Sequence, residues 1–260
     1  MNLFLTFAFL FSAGSSLGWL IELIYRRLFS AKRWLNPGFL VGPYLPLYGF
    51  GLCLLYLLAS LKLSFLPNEI LRIVVRTLLI GLSMTAIEYI AGKIFIVGMK
   101  VKLWDYSKKP GNIEGLICPE FSLYWTLLGA LYCFLIHSFF VTSVAGFLMH
   151  PLLYFLEGIY YGVLLVDVFW SMHLLARIRN FAKEHQIVVR LEEFKKTVAE
   201  HAGKNRFRRF VFSLQDIGRS TTESLMEYLN RWKQFTGDQL QKISKRKRHV
   251  KKESEEEKHE

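Results

Sequence analysis

Four carboxylates stand inside otherwise apolar stretches of this 260-residue chain: Glu22, Glu88, Glu157 and Asp167. A fifth, Glu120, follows Cys118-Pro119 at the start of another apolar run. A charged side chain in hydrocarbon costs a few kcal/mol and usually faces protein or a water-filled cavity. Carboxylates kept at that cost can relay protons, bind a cation or act as acid and base. The connecting stretch Trp104-Asp105-Tyr106-Ser107, with Asn112 and lysines 100, 102, 108 and 109, adds hydroxyl, amide and ammonium groups that could bind an anion. Other chemistries lack their residues. No Gly-x-x-x-x-Gly-Lys-Ser/Thr loop exists, so the chain is not itself an ordinary ATP-hydrolysing subunit. No His-Glu-x-x-His or Gly-x-Ser-x-Gly occurs, and His137, His150 and His173 are scattered. The sequence predicts no metal site and no cofactor. Cys53, Cys118 and Cys133 form no close pair, so no disulfide framework is expected.

The elements that must hold these carboxylates are membrane helices. The chain is 52% hydrophobic and 15% aromatic, and its charge is segregated. Residues 1–175 hold eight acidic and twelve Lys/Arg side chains, whereas residues 176–260 hold thirteen and twenty-one. A spanning helix needs roughly twenty apolar residues. Five stretches qualify: Leu3–Tyr25, Pro43–Leu61, Ile70–Ala91, Pro119–Thr142 and Leu152–Leu175. The fold class is therefore all-α, a polytopic bundle over residues 1–175. A helical tail follows over 176–244, and a charged, disordered end over 245–260. The first segment lacks a basic leader region and reads as a retained helix. Lys and Arg crowd the links after the first and third helices and the tail, while Ser143–His150 has none. The positive-inside rule then puts the N-terminus outside and the tail in the cytoplasm. In that topology Glu22, Glu88, Glu120 and Asp167 converge on the inner leaflet. Arg72 and Arg76 fall near the outer end, where they snorkel outward or Arg76 pairs with Glu157.

Local signals add detail. Glycines 38, 42, 49 and 51 and prolines 43 and 46 crowd the start of the second helix. This is either a broken, re-entrant segment beside a site or a helix that begins only near Pro46. Gly14 and Gly18, and Ser122, Thr126, Gly129 and Cys133, make small-residue stripes suited to helix packing. In the tail, Ile187, Leu191, Phe194 and Val198 form one apolar stripe, and Phe207, Phe210, Leu214 and Ile217 another. Ser220-Thr-Thr-Glu223 opens a third helix with Leu225, Leu229 and Trp232 on one face. Such basic amphipathic helices fit anionic lipid headgroups, the bundle or a partner. No nucleic-acid-binding motif accompanies the basic tail, so nucleic acid is not an expected partner.

Several stretches resemble a family of small bacterial membrane proteins, the type IV ABC-transporter permeases. They are Gly18-Trp19 with Glu22 and Tyr25, Asn36-Pro37-Gly38-Phe39-Leu40, Gly42-Pro43 and Pro46-Leu47-Tyr48-Gly49-Phe50-Gly51. Glu88-Tyr89-Ile90, Trp104-Asp105-Tyr106-Ser107, Asn112, Gly115, Ile117-Cys118 and Ser122 with Trp125 follow in order. The chain departs from that pattern at Ile96, Leu116 and Thr126, where the family carries an acid, an arginine and a glycine. The resemblance implies a multi-helix inner-membrane protein and a transport component. With the carboxylates, it gives a candidate polar site of Glu22, Asn36, Tyr48, Glu88, Trp104, Asp105, Tyr106, Asn112 and Asp167. The leading expectation is a non-enzymatic, permease-like subunit in the lipid bilayer, with a second copy of itself or a separate ATPase subunit as partner. The alternatives are a membrane-embedded enzyme acting on a lipid or headgroup at the inner leaflet, and a scaffold working through the tail.

Overall fold

The structure is a computed structural model that describes residues 2–30, 34, 36–201 and 223–234. It is a helical bundle with almost no sheet. Helix α1 spans Leu3–Tyr25, α2 Pro46–Ala59, α3 Glu69–Ile94, α4 Pro119–Leu131, α5 His137–Met149, α6 Pro151–Glu184 and α7 Leu191–His201. Residues 223–234 form an eighth helix, α8. Helix starts follow the local chemistry. Pro46, Pro119 and Pro151 each occupy a first-turn position, where the missing N–H loses nothing. Asn68 caps α3 by accepting the Ile70 N–H at 2.9 Å. π-helical turns extend α1 and α3 and join α4 to α5. The left-handed residue Lys100 then stops the α3 extension.

Among the described residues, four helices are long and apolar enough to cross a membrane: Leu3–Phe29, Glu69–Met99, Pro119–Met149 and Pro151–Glu184. The fifth expected span is shorter. Helix α2 has 14 residues, about 21 Å at 1.5 Å per residue, against a hydrocarbon core about 30 Å thick. It begins at Pro46, and residues 36–45 approach it without helical structure. Pro43 and Pro46 and the local glycines account for that late start. Outward faces of the long helices stay apolar, with Leu82, Phe134 and Leu165 all exposed. Such surface suits lipid, whereas water would leave it costly.

Small residues close the helix pairs, as their stripes predict. A Cβ on Gly18 would collide with the Tyr48 ring, and one on Gly14 would come within 2.7 Å of Leu52 Cβ. A Cβ on Gly81 would collide with Thr126, and one on Gly129 with Ile80. So α1 lies against α2 and α3 against α4 at distances only small residues permit. Leu116 is buried against Gly92, in the place where the family pattern has arginine.

At one end of the bundle, Arg72 Nε donates to Leu66 O at 2.8 Å and an Arg76 N–H to Leu61 O at 2.9 Å. Both arginines thus reach carbonyls of the α2–α3 turn, and Arg76 is not paired with Glu157. At the other end α6 runs unbroken past residue 175 and packs against the tail. Ile178 and Phe181 from α6 share an apolar cluster with Ile187, Leu191 and Phe194 and with Leu225 and Leu229 of α8. Val198 packs on the same cluster, so the first tail stripe is a docking face. A two-residue parallel pair, β1 (Val101–Lys102) with β2 (Val189–Arg190), stitches the tail to the link after α3. The expected Phe207–Ile217 stripe, the Ser220-Thr-Thr start of the capping box and the charged end 245–260 lie outside the described residues.

Candidate functional site

At the tail end of the bundle, polar side chains from four helices and one loop form a connected chain. Glu22 lies in the last turn of α1 and Tyr48 in the first turn of α2. Because Gly18 carries no side chain, the Tyr48 ring lies against α1, and its hydroxyl donates to Glu22 Oε2 at 3.0 Å. Arg26, one turn on, donates through Nε to Glu22 Oε1 at 2.8 Å. The Tyr48 ring sits 5.5 Å from that of Trp125 on α4. Trp125 donates its indole N–H to Glu88 Oε2 at 3.0 Å, and the Tyr106 hydroxyl donates to Glu88 Oε1 at 3.0 Å. Tyr106 stacks on Phe121, with ring centroids 4.3 Å apart.

Glu88 is only 4% exposed, and both of these bonds come from neutral donors. A carboxyl held that way can carry a proton or receive a cation, whereas Glu22 beside Arg26 is already ion-paired. The aromatic walls of Tyr48, Trp125 and Tyr106 are also suited to a cation or a flat apolar group. Burial, and then the neighbouring Glu88 charge, push the Tyr106 hydroxyl well above the ordinary tyrosine range, so it acts as a donor.

A second group shapes the non-helical segment before α2. Asn36, almost fully buried, accepts the Trp19 indole N–H at 2.6 Å and donates to Leu40 O at 3.0 Å and Val41 O at 2.7 Å. Asp167 accepts the backbone N–H groups of Val41 at 3.0 Å and Gly42 at 2.6 Å, and the Ser171 hydroxyl at 2.9 Å. A Cβ on Gly42 would sit 2.9 Å from Asp167 Oδ2, so only glycine lets the backbone come this close. The intramembrane acid Asp167 therefore supplies acceptors for backbone that no helix satisfies.

A third group folds the loop that presents Tyr106. The Trp104 indole N–H donates to Leu116 O at 2.8 Å. Asp105 Oδ1 accepts from Lys102 at 2.6 Å and from the Ser107 N–H at 3.1 Å, while Arg190 reaches its Oδ2 at 3.2 Å. Burial alone would raise the Asp105 carboxyl, but its bonds to Lys102 and Ser107 hold it below the usual carboxylate range. Asn112 donates to Lys109 O at 2.7 Å and accepts the Gly115 N–H at 3.0 Å. Gly111 and Gly115 take the positive φ that these turns demand. Glu120 pairs with Lys109 at 2.7 Å, and Lys93 pairs with Glu114 and not with Glu88.

Of the nine expected residues, the structure thus brings Glu22, Tyr48, Glu88 and Tyr106 into one chain. Asn36 and Asp167 brace the segment before α2, while Trp104, Asp105 and Asn112 brace the loop. Trp125 links the two glutamates and was visible only as part of the family-like pattern. Glu192 and Lys195 of α7, which also reach this end, carried no sequence signal beyond an amphipathic stripe. Among the described residues no cluster of three or more His, Cys, Asp or Glu could hold a metal.

No curated protein and no solved structure matches the chain significantly. A family model with the description "Putative ABC-transporter type IV" matches residues 9–172. That range takes in α1 through most of α6 and every member of the Glu22–Tyr48–Trp125–Glu88–Tyr106 chain. With more than half of its length matched, this membrane helix bundle belongs to that type IV ABC-transporter family.

Proposed function

We propose that the chain is the permease-like membrane subunit of a transporter whose ATP-hydrolysing chain is separate, seated in the bacterial inner membrane with its N-terminus outside and its tail in the cytoplasm. The observation that carries this reading is Glu88: a carboxyl buried in the bundle, held by neutral donors and walled by aromatic rings. Such a group is expensive to keep at membrane depth, and that cost supports a role in passage of a proton, a cation or a polar solute. Family membership supports a transport component, and the absence of a phosphate-binding loop in this sequence is in keeping with ATP hydrolysis by another chain. Among the described residues the bundle has four candidate spans and one short apolar helix. A path for a solute therefore calls for a second copy or a partner subunit.

The test is isolation of the full chain from its native membrane in lipid nanodiscs. The expected result is a co-eluting chain with a Gly-x-x-x-x-Gly-Lys-Ser/Thr loop and ATP hydrolysis in the same peak, reduced in Glu88→Leu while the complex stays intact. Elution of this chain alone, with no ATP hydrolysis in any mild condition, would overturn the reading.

A further inference from the structure

The stretch Arg190–Lys195 lies beyond the family-matched residues, yet three of its side chains end on three separate parts of the polar chain and its supports. Arg190 Nε meets Asp105 Oδ2 at 3.2 Å. Glu192 meets Arg26 at 2.5 Å, and Arg26 in turn holds Glu22. Lys195 Nζ donates to the carbonyls of Asn36 at 2.8 Å and Gly38 at 2.5 Å. Glu192 and Lys195 are three residues apart on α7 and so lie on one side of it. Leu191 and Phe194, 4% and 0% exposed, anchor the same stretch in the apolar cluster with α6. The Val189 N–H, donating to Lys100 O at 3.0 Å, fixes its start.

We infer that residues 190–195 form a clasp that closes the polar site from the tail side and opens as a unit. While docked, the clasp keeps Arg26 on Glu22, holds the 36–42 segment shut onto Asp167 and holds the 105–107 turn. When it lifts, all three are freed together. Its grip combines these polar contacts with the apolar anchors Leu191 and Phe194, and one of its groups is a buried ammonium whose desolvation opposes docking. That cost lowers the free energy needed to lift the clasp. Burial foremost, and then Arg26, press the Lys195 ammonium down to about 7, in keeping with that cost.

The inference rests on the transport-site reading, but amide hydrogen exchange of the full chain in nanodiscs tests it without any substrate. Glu192→Gln removes the charge paired with Arg26, together with its weaker pull on Lys195. If the clasp is one unit, it speeds exchange about tenfold or more at Val41, Gly42 and Ser107, amides that Glu192 does not touch. Arg190→Gln, at a half-exposed position that folding tolerates, should do the same at Val41 and Gly42. The turn at residues 61–72 should keep its protection in both variants, which shows that the bundle is folded. Acceleration confined to each variant's own partner would overturn the clasp and leave three independent contacts. Loss of ATPase copurification with coupled exchange intact would instead overturn the transport reading.

Discussion

Trp125 gives its indole N–H to Glu88 at 3.0 Å across the α3–α4 contact that Gly81 and Gly129 bring close. The bond joins two residues 37 positions apart and makes the carboxyl part of the helix interface. Removing one donor leaves a buried carboxylate oxygen short of a partner, which costs about 1–3 kcal/mol. Trp125→Phe should therefore lower the thermal unfolding midpoint in detergent. In a double-mutant cycle with Glu88→Gln the two changes should add to less than their sum. Full additivity would show that the bond contributes nothing to stability.

The small-residue contacts predict opposite outcomes for the same substitution. Gly81→Ala forces a methyl group into Thr126 and should destabilise by about 1–3 kcal/mol through overpacking. Gly146→Ala meets no atom within 4 Å, so it should be neutral or stabilise by up to about 1 kcal/mol through helix propensity. Paired thermal melts of the two variants check this. Equal effects would rule out close approach as the reason for Gly81.

Topology is a separate expectation, resting on the Lys/Arg imbalance between links. A reporter fused in Ser143–His150 should report the outside, and one at Lys108 the cytoplasm. The reverse at either position would detach the polar chain from the cytoplasmic face, although its internal geometry would stand.

Much of this architecture was legible in the sequence, because hydropathy and small-residue stripes record what lipid and helix contact demand. The four long spans follow from apolar length, whereas Pro43, Pro46 and their glycines left two readings of the start of α2 open, a broken segment and a late start. What could not be read is pairing with backbone. Asp167 satisfies N–H groups 125 and 126 residues away, and no side-chain pattern encodes such a partner. Asp105 illustrates a second gap. It sits in the same sequence stretch as Tyr106, yet neighbours on an irregular loop point in different directions, one to Lys102 and Arg190 and the other to Glu88. The docking of α7 was open for a related reason. An amphipathic stripe shows that a face is buried but not what covers it.

The buried Lys195 makes docking of α7 depend on pH with a definite sign. An undocked lysine titrates at about 10.4, whereas docked Lys195 is held down to about 7, by burial first and by Arg26 next, against the opposing pull of Glu192 and Asp167. Between those two values the undocked state binds more protons, so docking strengthens as pH rises. Above about 10 the lysine is neutral either way and the charge penalty vanishes, and below about 7 the penalty is complete. The docking equilibrium should therefore rise by up to about tenfold per pH unit over this window. Amide protection of α7, corrected for the intrinsic rate at each pH, should increase from pH 7 to 9 in the native chain. In Lys195→Met, which has no proton to lose, it should stay flat. A flat profile in the native chain would mean that Lys195 keeps its proton when docked, and that the ammonium's bonds to Asn36 and Gly38 fully offset its burial.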